Sequence, residues 1–497
     1  PARPEELTDA QKAALQPTLQ ESKQLARAQA ESPVSGFDVP PVIIADSAKV
    51  IDNKVVDKNK VVDKAAAAKA AVEPEAAAAA GAACPQNKVY AALIEKAINN
   101  VYDPTPFGDL EKLKNKHNCE IKTAADAFRF VNQELQAHGD RFNKVLPPTE
   151  AKAFLKLFDG QAKGFGFEYY GVDPAIASGT GSLKVRDVFP GSPAEKTGLK
   201  VGDYISAIDD VSLQSKSFDE ASGMMTSDKA HKFTVIRDGK PVVLNITPAE
   251  LDTPAVRAHM VPGTKIGYIR IRDFIQEDTI DEFNAAVKSM PKATGFVIDL
   301  RDNPGGAVDQ ALLSAAVIVG KGDLLTMRNR VEENGVTPEP EYDTQVFSLN
   351  RNELVRKDTN AAGKTVDGMR DLRPNDLIDK PTILLVNGGT ASAAEIFTGA
   401  VQQNNEGTVI GEKTYGKGIG QTIFRGMESG SVLATTTFRF FTPNGQWIGD
   451  ANRNRLGITP NIEVANPRYF DPESSNDTQF RTAIAEINKK IGAPKKP

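Results

Sequence analysis

The sequence predicts an α/β protein with a mainly β domain inserted into it and a helical segment ahead of it, and three observations carry that reading. From Lys265 onward, strand-like runs (Gly267 to Ile271, Gly295 to Leu300, Thr382 to Val386) alternate with helical ones (279–289, 307–319, 391–403), the pattern of βαβ crossovers. Between Gly164 and about Thr247 the texture shifts to short β-rich runs punctuated by glycine, which marks a separate β unit. With 497 residues the chain is too long for one compact core, so several folded units are expected.

The elements follow in order. Residues 1–83 carry Gln, Ala and Glu runs and an imperfect repeat, Lys54-Val55-Val56-Asp57-Lys58 and Lys60-Val61-Val62-Asp63-Lys64, and read as a disordered low-complexity arm. A lone helix over Ala65 to Ala80 is the alternative, and either would act as a spacer. From Val89 apolar residues recur at helical spacing through Tyr90, Leu93, Ile94, Ala97, Ile98 and Val101, until Asp103-Pro104 stops the helix. A second amphipathic segment runs over 124–137 and a third helix over 149–158, so 84–160 forms the helical part. The β domain is expected at 161–250 and the α/β core at 251–465. Within that core, the polar stretch 325–380 is long for a connection and reads as an insertion or lid. Residues 466–497 are left as a C-terminal tail.

Composition narrows the function. Apolar residues make up 40% and charged residues 25%, ordinary globular usage. The net charge is −5 with no long basic run, so the counterion-release attraction behind nucleic-acid binding has no obvious surface, and no nucleic-acid partner is expected. The longest apolar runs, such as Ala311 to Val319 less Ser314, fall short of the ~20 residues of a membrane-spanning helix. The opening on Pro1 fits removal of an export signal as well as trimming. Cys84 and Cys119 are the only cysteines. Paired, they would close a loop of about 35 residues, worth about 3–4 kcal/mol in the chain-entropy model. Two unrelated thiols fit the count equally well.

The chemistry concentrates around two segments. Thr382 to Val386 reads as a buried strand, followed by the tight turn Asn387-Gly388-Gly389-Thr390 and a helix beginning near Ala391, which puts Ser392 at a helix start. A hydroxyl there sits beside unpaired N–H groups and the positive end of the helix dipole, both of which stabilise an oxyanion. Capping the helix is the commoner job for a serine at such a place. The second segment, Gly411-Glu412-Lys413-Thr414-Tyr415-Gly416-Lys417-Gly418, wedges a lysine between two glycines, a frame that a solvated lysine does not need. To act as a base, that amine must have its pKa lowered from about 10.4 towards 7–8 against roughly 3.5–4.5 kcal/mol, which requires burial. The four histidines are His117, His138, His231 and His259. None lies in the α/β region from 265 onward, so Ser–Lys chemistry fits better than Ser–His–Asp.

At these residues the chain resembles the C-terminal processing peptidases, or tail-specific proteases, serine peptidases with a PDZ domain. The nucleophile segment of that family is similar to Gly389-Thr390-Ala391-Ser392-Ala393-Ala394-Glu395-Ile396, and its lysine segment to Gly411 through Gln421, with the same separation of 25 residues. The resemblance implies a crotonase/Clp-like β-α spiral for the protease core, with Ser392 as nucleophile, Lys417 as base and Gln421 orienting the lysine. Leu300-Arg301-Asp302-Asn303-Pro304-Gly305-Gly306 also matches. By itself it reads as an ordinary strand-to-helix turn, but by the resemblance an N–H of Gly306, or failing that of Gly305, joins that of Ala393 in an oxyanion hole. Further matches are Gly267-Tyr268-Ile269-Arg270-Ile271, Phe440 to Gly445 and Gly457 to Ile462.

In the β domain, Gly164-Phe165-Gly166-Phe167, Gly191 to Leu199 and Gly202-Asp203-Tyr204-Ile205 together resemble a PDZ domain, which implies capture of a free C-terminal carboxylate by backbone N–H groups of Gly164, Phe165, Gly166 and Phe167. The chain departs from the family at Ala394, where serine is usual, and at Ser222 to Ser227, which stands for a leucine-arginine-glycine segment. The expected protein is an exported serine endopeptidase, periplasmic or in another extracytoplasmic compartment, acting on protein substrates without metal or organic cofactor. A PDZ scaffold or chaperone without hydrolysis and a crotonase-like acyl-CoA enzyme are the alternatives.

Overall fold

The computed structural model describes residues 34–36 and 85–492, apart from 139, 172–182, 215, 217, 332–339, 351–352, 373–378, 451–453 and 468–469. Most of the arm 1–83 therefore lies outside the described residues.

The amphipathic pattern after residue 88 forms α1 (Lys88–Asn100), α2 (Leu110–Asn115) and α3 (Ala124–His138). Asn87 caps α1 by accepting from the Tyr90 N–H. Tyr90, Leu93, Ile94, Ala97 and Ile98 of α1 join Ala127, Val131 and Leu135 of α3 in one apolar cluster, which also takes in Phe424 and Leu433 of the core. The helical segment is thus bound to the α/β body by the same apolar stripe that predicts it. Strand β2 (Lys144–Leu146) and helix α4 (Pro148–Lys156) follow.

The β domain is closed at its neck by β3 (Gln161–Gly164) pairing antiparallel with β10 (Ala249–Asp252). Beyond the neck a sheet runs in the order β4 (Phe167–Gly171), β5 (Leu183–Val188), β6 (Tyr204–Ile208), β8 (His231–Arg237), β9 (Lys240–Ile246), with β7 (Val211–Ser212) beside β6. Helices α5 (Pro193–Lys196) and α6 (Phe218–Gly223) belong to the same unit. Phe165, Phe167, Leu183, Ile205, Phe233 and Ile246 form its core.

The α/β core holds a six-stranded sheet in the order β11 (Val256–Met260), β12 (Ile266–Ile271), β13 (Gly295–Asp299), β18 (Thr382–Val386), β19 (Thr408–Gly411), β22 (Ile462–Glu463). All its pairs are parallel except β11 with β12. Every residue of β13 and β18 is buried, because helices cover both faces, as parallel sheets require. Ile298, Leu384 and Val386 pack towards α7 (Thr279–Ser289), α8 (Val308–Ala316) and α9 (Ala393–Gln403). Val297, Ile383 and Leu385 pack the other way, onto Phe480, Ala483 and Ile487 of α10 (Thr478–Gly492). The stretch expected as a tail after 466 therefore supplies one covering layer of the sheet.

A second sheet is antiparallel throughout, in the order β1 (Val34–Gly36), β20 (Ile419–Phe424), β21 (Val432–Phe441), β14 (Gly322–Arg330), β15 (Tyr342–Asn350), β16 (Glu353–Thr359), β17 (Thr365–Leu372), with β2 also on β21. Most of the polar stretch 325–380 is thus laddered strand. The three arm residues of β1 pair with Gln421, Thr422 and Ile423 of β20.

Candidate active site

Three loops converge at the carboxyl ends of β13, β18 and β19, where open parallel sheets place their sites. Ser392 stands at the junction of β18 and α9 as the N-cap, with φ 55° and ψ −119°, a strained conformation for a residue other than glycine. The turn before it is stitched to the first loop. Thr390 Oγ1 donates to the Leu300 carbonyl at 2.8 Å, the Ala391 N–H donates to the Asn303 carbonyl at 2.9 Å, and Asn387 and Asp302 exchange two hydrogen bonds.

In the first loop, Gly305 and Gly306 have φ of 101° and 149°, values that only glycine adopts without strain. A methyl on Gly305 would meet the Ala391 carbonyl oxygen, the Ala393 nitrogen and Ser392 Cβ, each at 2.8 Å. The Gly305 N–H is taken by Asn303 Oδ1 at 2.9 Å. Among the described residues the N–H groups of Gly306 and Ala393 donate to no other group, so of the two glycines Gly306 is the one with a proton to offer.

The third loop carries Lys417, whose side chain is only 2% exposed. The Gly416 backbone lies so close to Arg455 and Leu456 that a methyl there would come within 2.9 Å of their main-chain atoms. The lysine amine donates to Gln421 Oε1 at 3.0 Å and sits 4.4 Å from the centre of the Phe142 ring. Gln421 in turn donates to Thr436 Oγ1 at 2.7 Å.

Glu395, fully buried, ties the serine and lysine loops together. Its Oε2 accepts from the Ser392 and Lys417 N–H groups at 2.9 and 2.8 Å, which holds those two nitrogens within 5.7 Å of each other. Its Oε1 accepts from the Thr414 hydroxyl and the Gly416 N–H at 2.6 and 2.8 Å. Burial pushes this carboxyl up from its usual range, while the Thr414 hydroxyl and the three N–H donors pull it back. The sequence reading passed over Glu395, although its position three residues after Ser392 is the spacing of a capping box. Phe142 and Thr436 had no local signal, because only the folded chain brings α3's trailing loop and β21 to Lys417.

In the β domain the Phe165 and Phe167 side chains are core residues, packed on Phe233 at 5.3 and 5.7 Å between ring centres. The loop between β3 and β4 leaves the N–H groups of Phe165 and Gly166 without acceptors among the described residues. Ion pairs join this domain to the core: Glu168 to Arg270, Arg257 to Asp187 at 2.6 Å and Lys184 to Asp471 at 2.9 Å. Cys119 is in a disulfide, and the sequence holds one other cysteine, Cys84, which itself lies outside the described residues. No described helix is long and apolar enough to cross a membrane.

A buried lysine on a loop tied through Glu395 to a strained serine turn, beside N–H groups without acceptors among the described residues, is an arrangement suited to serine-peptidase chemistry. Comparison with known proteins agrees. Residues 265–464 match the model of peptidase family S41, and residues 184–237 that of the PDZ domain. The carboxy-terminal-processing protease of Bartonella bacilliformis is 32% identical over 339 residues, 66% of this chain and 67% of the relative. The carboxyl-terminal-processing protease of Synechocystis is 29% identical over 375 residues, 73% of this chain and 77% of the relative. Among solved structures, an S41 protease from Bacteroides fragilis superposes with a TM-score of 0.51 at 17% identity, covering 80% of this chain and 97% of that one, and shows the same fold. The chain belongs to the C-terminal processing proteases of peptidase family S41, and it is a serine peptidase.

Proposed function

We propose that this peptidase selects proteins by their C-terminal ends and cleaves them with Ser392 as nucleophile and Lys417 as general base. The carrying observation is the buried Lys417 amine, fixed on Gln421 in a loop that shares one carboxylate oxygen with the Ser392 turn. Burial disfavours the charged amine, as a base that must accept the Ser392 proton requires. Gln421 holds one amine proton and so directs the lone pair. As the alkoxide attacks the scissile carbonyl, the Gly306 and Ala393 N–H groups receive the developing oxyanion, a role worth about 2.7–4 kcal/mol per donor in serine peptidases. Lys417 then passes the proton to the leaving amine, and water releases the acyl group.

The N–H groups of Phe165 and Gly166, without acceptors among the described residues, suit a substrate carboxylate, and β4, at the edge of its sheet among the described strands, suits the addition of a peptide strand. The disulfide at Cys119 supports export to an oxidising compartment such as the periplasm. The test is cleavage of an unfolded protein with a free apolar C-terminus against the same protein with that end blocked. Tail-dependent cleavage, abolished by Ser392→Ala and by Lys417→Ala in folded protein, is expected. Activity retained in either variant refutes the catalytic assignment, and equal cleavage of the blocked protein refutes the tail reading.

A further inference from the structure

The loop that carries Gly305 and Gly306 is bracketed by the segment Arg272 to Glu277, which joins β12 to α7. The Phe274 N–H donates to the Gly305 carbonyl at 2.8 Å, and the Phe274 carbonyl accepts from the Ala307 N–H at 2.7 Å, so Phe274 and Gly306 pair as in a parallel sheet. In that pairing the residue between the two bonded neighbours turns its own N–H and carbonyl away from the partner strand. The Gly306 N–H therefore points away from Phe274, while Gly305 beside it lies against Ala391, Ser392 and Ala393. Phe274 is fully buried, its ring centre 5.9 Å from that of Phe397 on α9. A methyl on Gly306 would collide with the Phe274 carbonyl and the Ile275 nitrogen, so a shift of this segment passes directly to Gly306.

The other side of the segment rests on both strands of the neck that tethers the β domain. On the strand leading in, the Glu277 N–H donates to the Phe158 carbonyl at 3.1 Å, and Phe158 packs on Ala307. On the strand leading out, Gln276 Nε2 donates to the Thr253 carbonyl, which also accepts from Arg272 Nη2 at 3.1 Å. The Thr253 N–H crosses the neck to the Gly160 carbonyl at 2.9 Å. Gly160 itself lies so close that a methyl there would meet Gln276 Oε1 at 2.7 Å. Gln276 and Thr253 are each 4% exposed, so the amide and the carbonyl depend on each other for a partner. We infer that Gln276 is a positioning residue for catalysis: by fastening the segment 272–277 to the neck of the β domain it fixes the pairing of Phe274 with Gly306, and with it the aim of the Gly306 N–H at the oxyanion.

This rests on the Ser392 and Gly306 reading and deepens it. Gln276 touches neither substrate nor reacting atoms. Its effect falls on the state in which the carbonyl oxygen has become an oxyanion, because a misdirected donor loses more towards the charged oxygen than towards the neutral carbonyl. The neck is by this account a wall of the oxyanion hole as well as the tether of the β domain. Arg272 reaches the same Thr253 carbonyl and braces the segment from within, through Asp273, which accepts from Arg272 Nε and from the Ile275 N–H at 2.9 Å each. With Arg272 in place, loss of the Gln276 bond loosens the bracket without releasing it, so the expected effect is smaller than the roughly 10²–10³-fold of a deleted oxyanion donor.

The experiment uses the full chain with Gln276→Leu, Gly160→Ala or Ser392→Ala, and measures kcat and KM on an unfolded protein substrate beside inhibition by a peptide aldehyde and by the amide of the same peptide. Rates are referred to active sites titrated to completion with a fluorophosphonate. The serine oxygen adds to the aldehyde carbon, the carbonyl π bond opens onto its oxygen, and the hydroxyl proton passes to Lys417; the amide only binds, so the ratio of the two inhibition constants reads the oxyanion hole. In Gln276→Leu, kcat is expected to fall about tenfold at unchanged KM, and the aldehyde to bind about tenfold more weakly with the amide unchanged. A merely structural role would lower the number of titratable sites and leave kcat per site and the inhibitor ratio at wild-type values, which overturns the inference. Equal weakening of aldehyde and amide with a raised KM assigns Gln276 to substrate binding and overturns it too. Cleavage retained in Ser392→Ala overturns the underlying reading instead. Should Gln276→Leu fail to fold, Gly160→Ala decides, since its methyl pushes the Gln276 amide off Thr253 from the neck side: an unchanged aldehyde-to-amide ratio there overturns the inference.

Discussion

Replacing Gly305 with alanine probes the site at its tightest point. The added methyl would lie 2.8 Å from the Ala391 carbonyl oxygen, from the Ala393 nitrogen and from Ser392 Cβ. Two of these atoms are backbone and the third is the root of the Ser392 side chain, so no flexible side chain can yield. Restoring ordinary contact needs a displacement of the 391–393 turn of about 0.5 Å, the margin within which catalytic groups must be held. A loss of about 10²-fold in kcat/KM follows, or about 2.7 kcal/mol of transition-state stabilisation. The φ of 101° adds backbone strain of about 1–3 kcal/mol to the folded state, read as a lower melting temperature. Since the Gly305 N–H is already on Asn303, the loss arises by displacement and not by removal of an oxyanion donor. Steady-state cleavage of an unfolded protein, run beside thermal melting, measures both quantities. A folded Gly305→Ala protein within threefold of wild-type kcat/KM would refute this packing argument.

Two further predictions follow from buried carboxylates. Glu395→Gln puts an NH2 where one oxygen receives two donors, leaving buried groups unpaired at about 1–3 kcal/mol each; melting should show a loss of several kcal/mol, and kcat should fall at least tenfold because the Ser392 and Lys417 loops lose their common anchor. Glu168, on the β domain, is pushed up by burial, but Arg270, Arg272 and Arg186 hold it down at about 2. Its depressed value means that its stabilisation is present above the ordinary glutamate range and is lost as pH falls from about 4.5 towards 2. Glu168→Gln should therefore cost about 1–3 kcal/mol at pH 7, by leaving the half-buried Arg270 without that partner, and progressively less by pH 3, measured by melting at both pH values.

The parallel core was legible because its signals are local and redundant. The strand Thr382–Val386 is apolar on both faces and bounded by a glycine turn, and the structure ends it where the sequence does. The Ser392 and Lys417 segments announced themselves through their glycines. Strands β15 to β17 were not legible as such, since their sequences are mostly polar with no apolar face to alternate, and β15 and β16 lie mostly half-exposed. Helix α10 carried a readable stripe in Phe480, Ala483 and Ile487, but its burial depends on strand residues as distant in sequence as Ile383 and Val297. Phe142 and Thr436 could not be found from sequence at all, because their chemistry consists of where tertiary packing puts them.

The account stands on a hydroxyl at Ser392 activated by the amine of Lys417. Fluorophosphonate labelling at pH 8, followed by intact mass and peptide mapping, reads this directly. The account predicts one stoichiometric adduct, on Ser392, forming at least a thousandfold more slowly in folded Lys417→Ala. An adduct on another residue, or an undiminished labelling rate without the lysine, would contradict it.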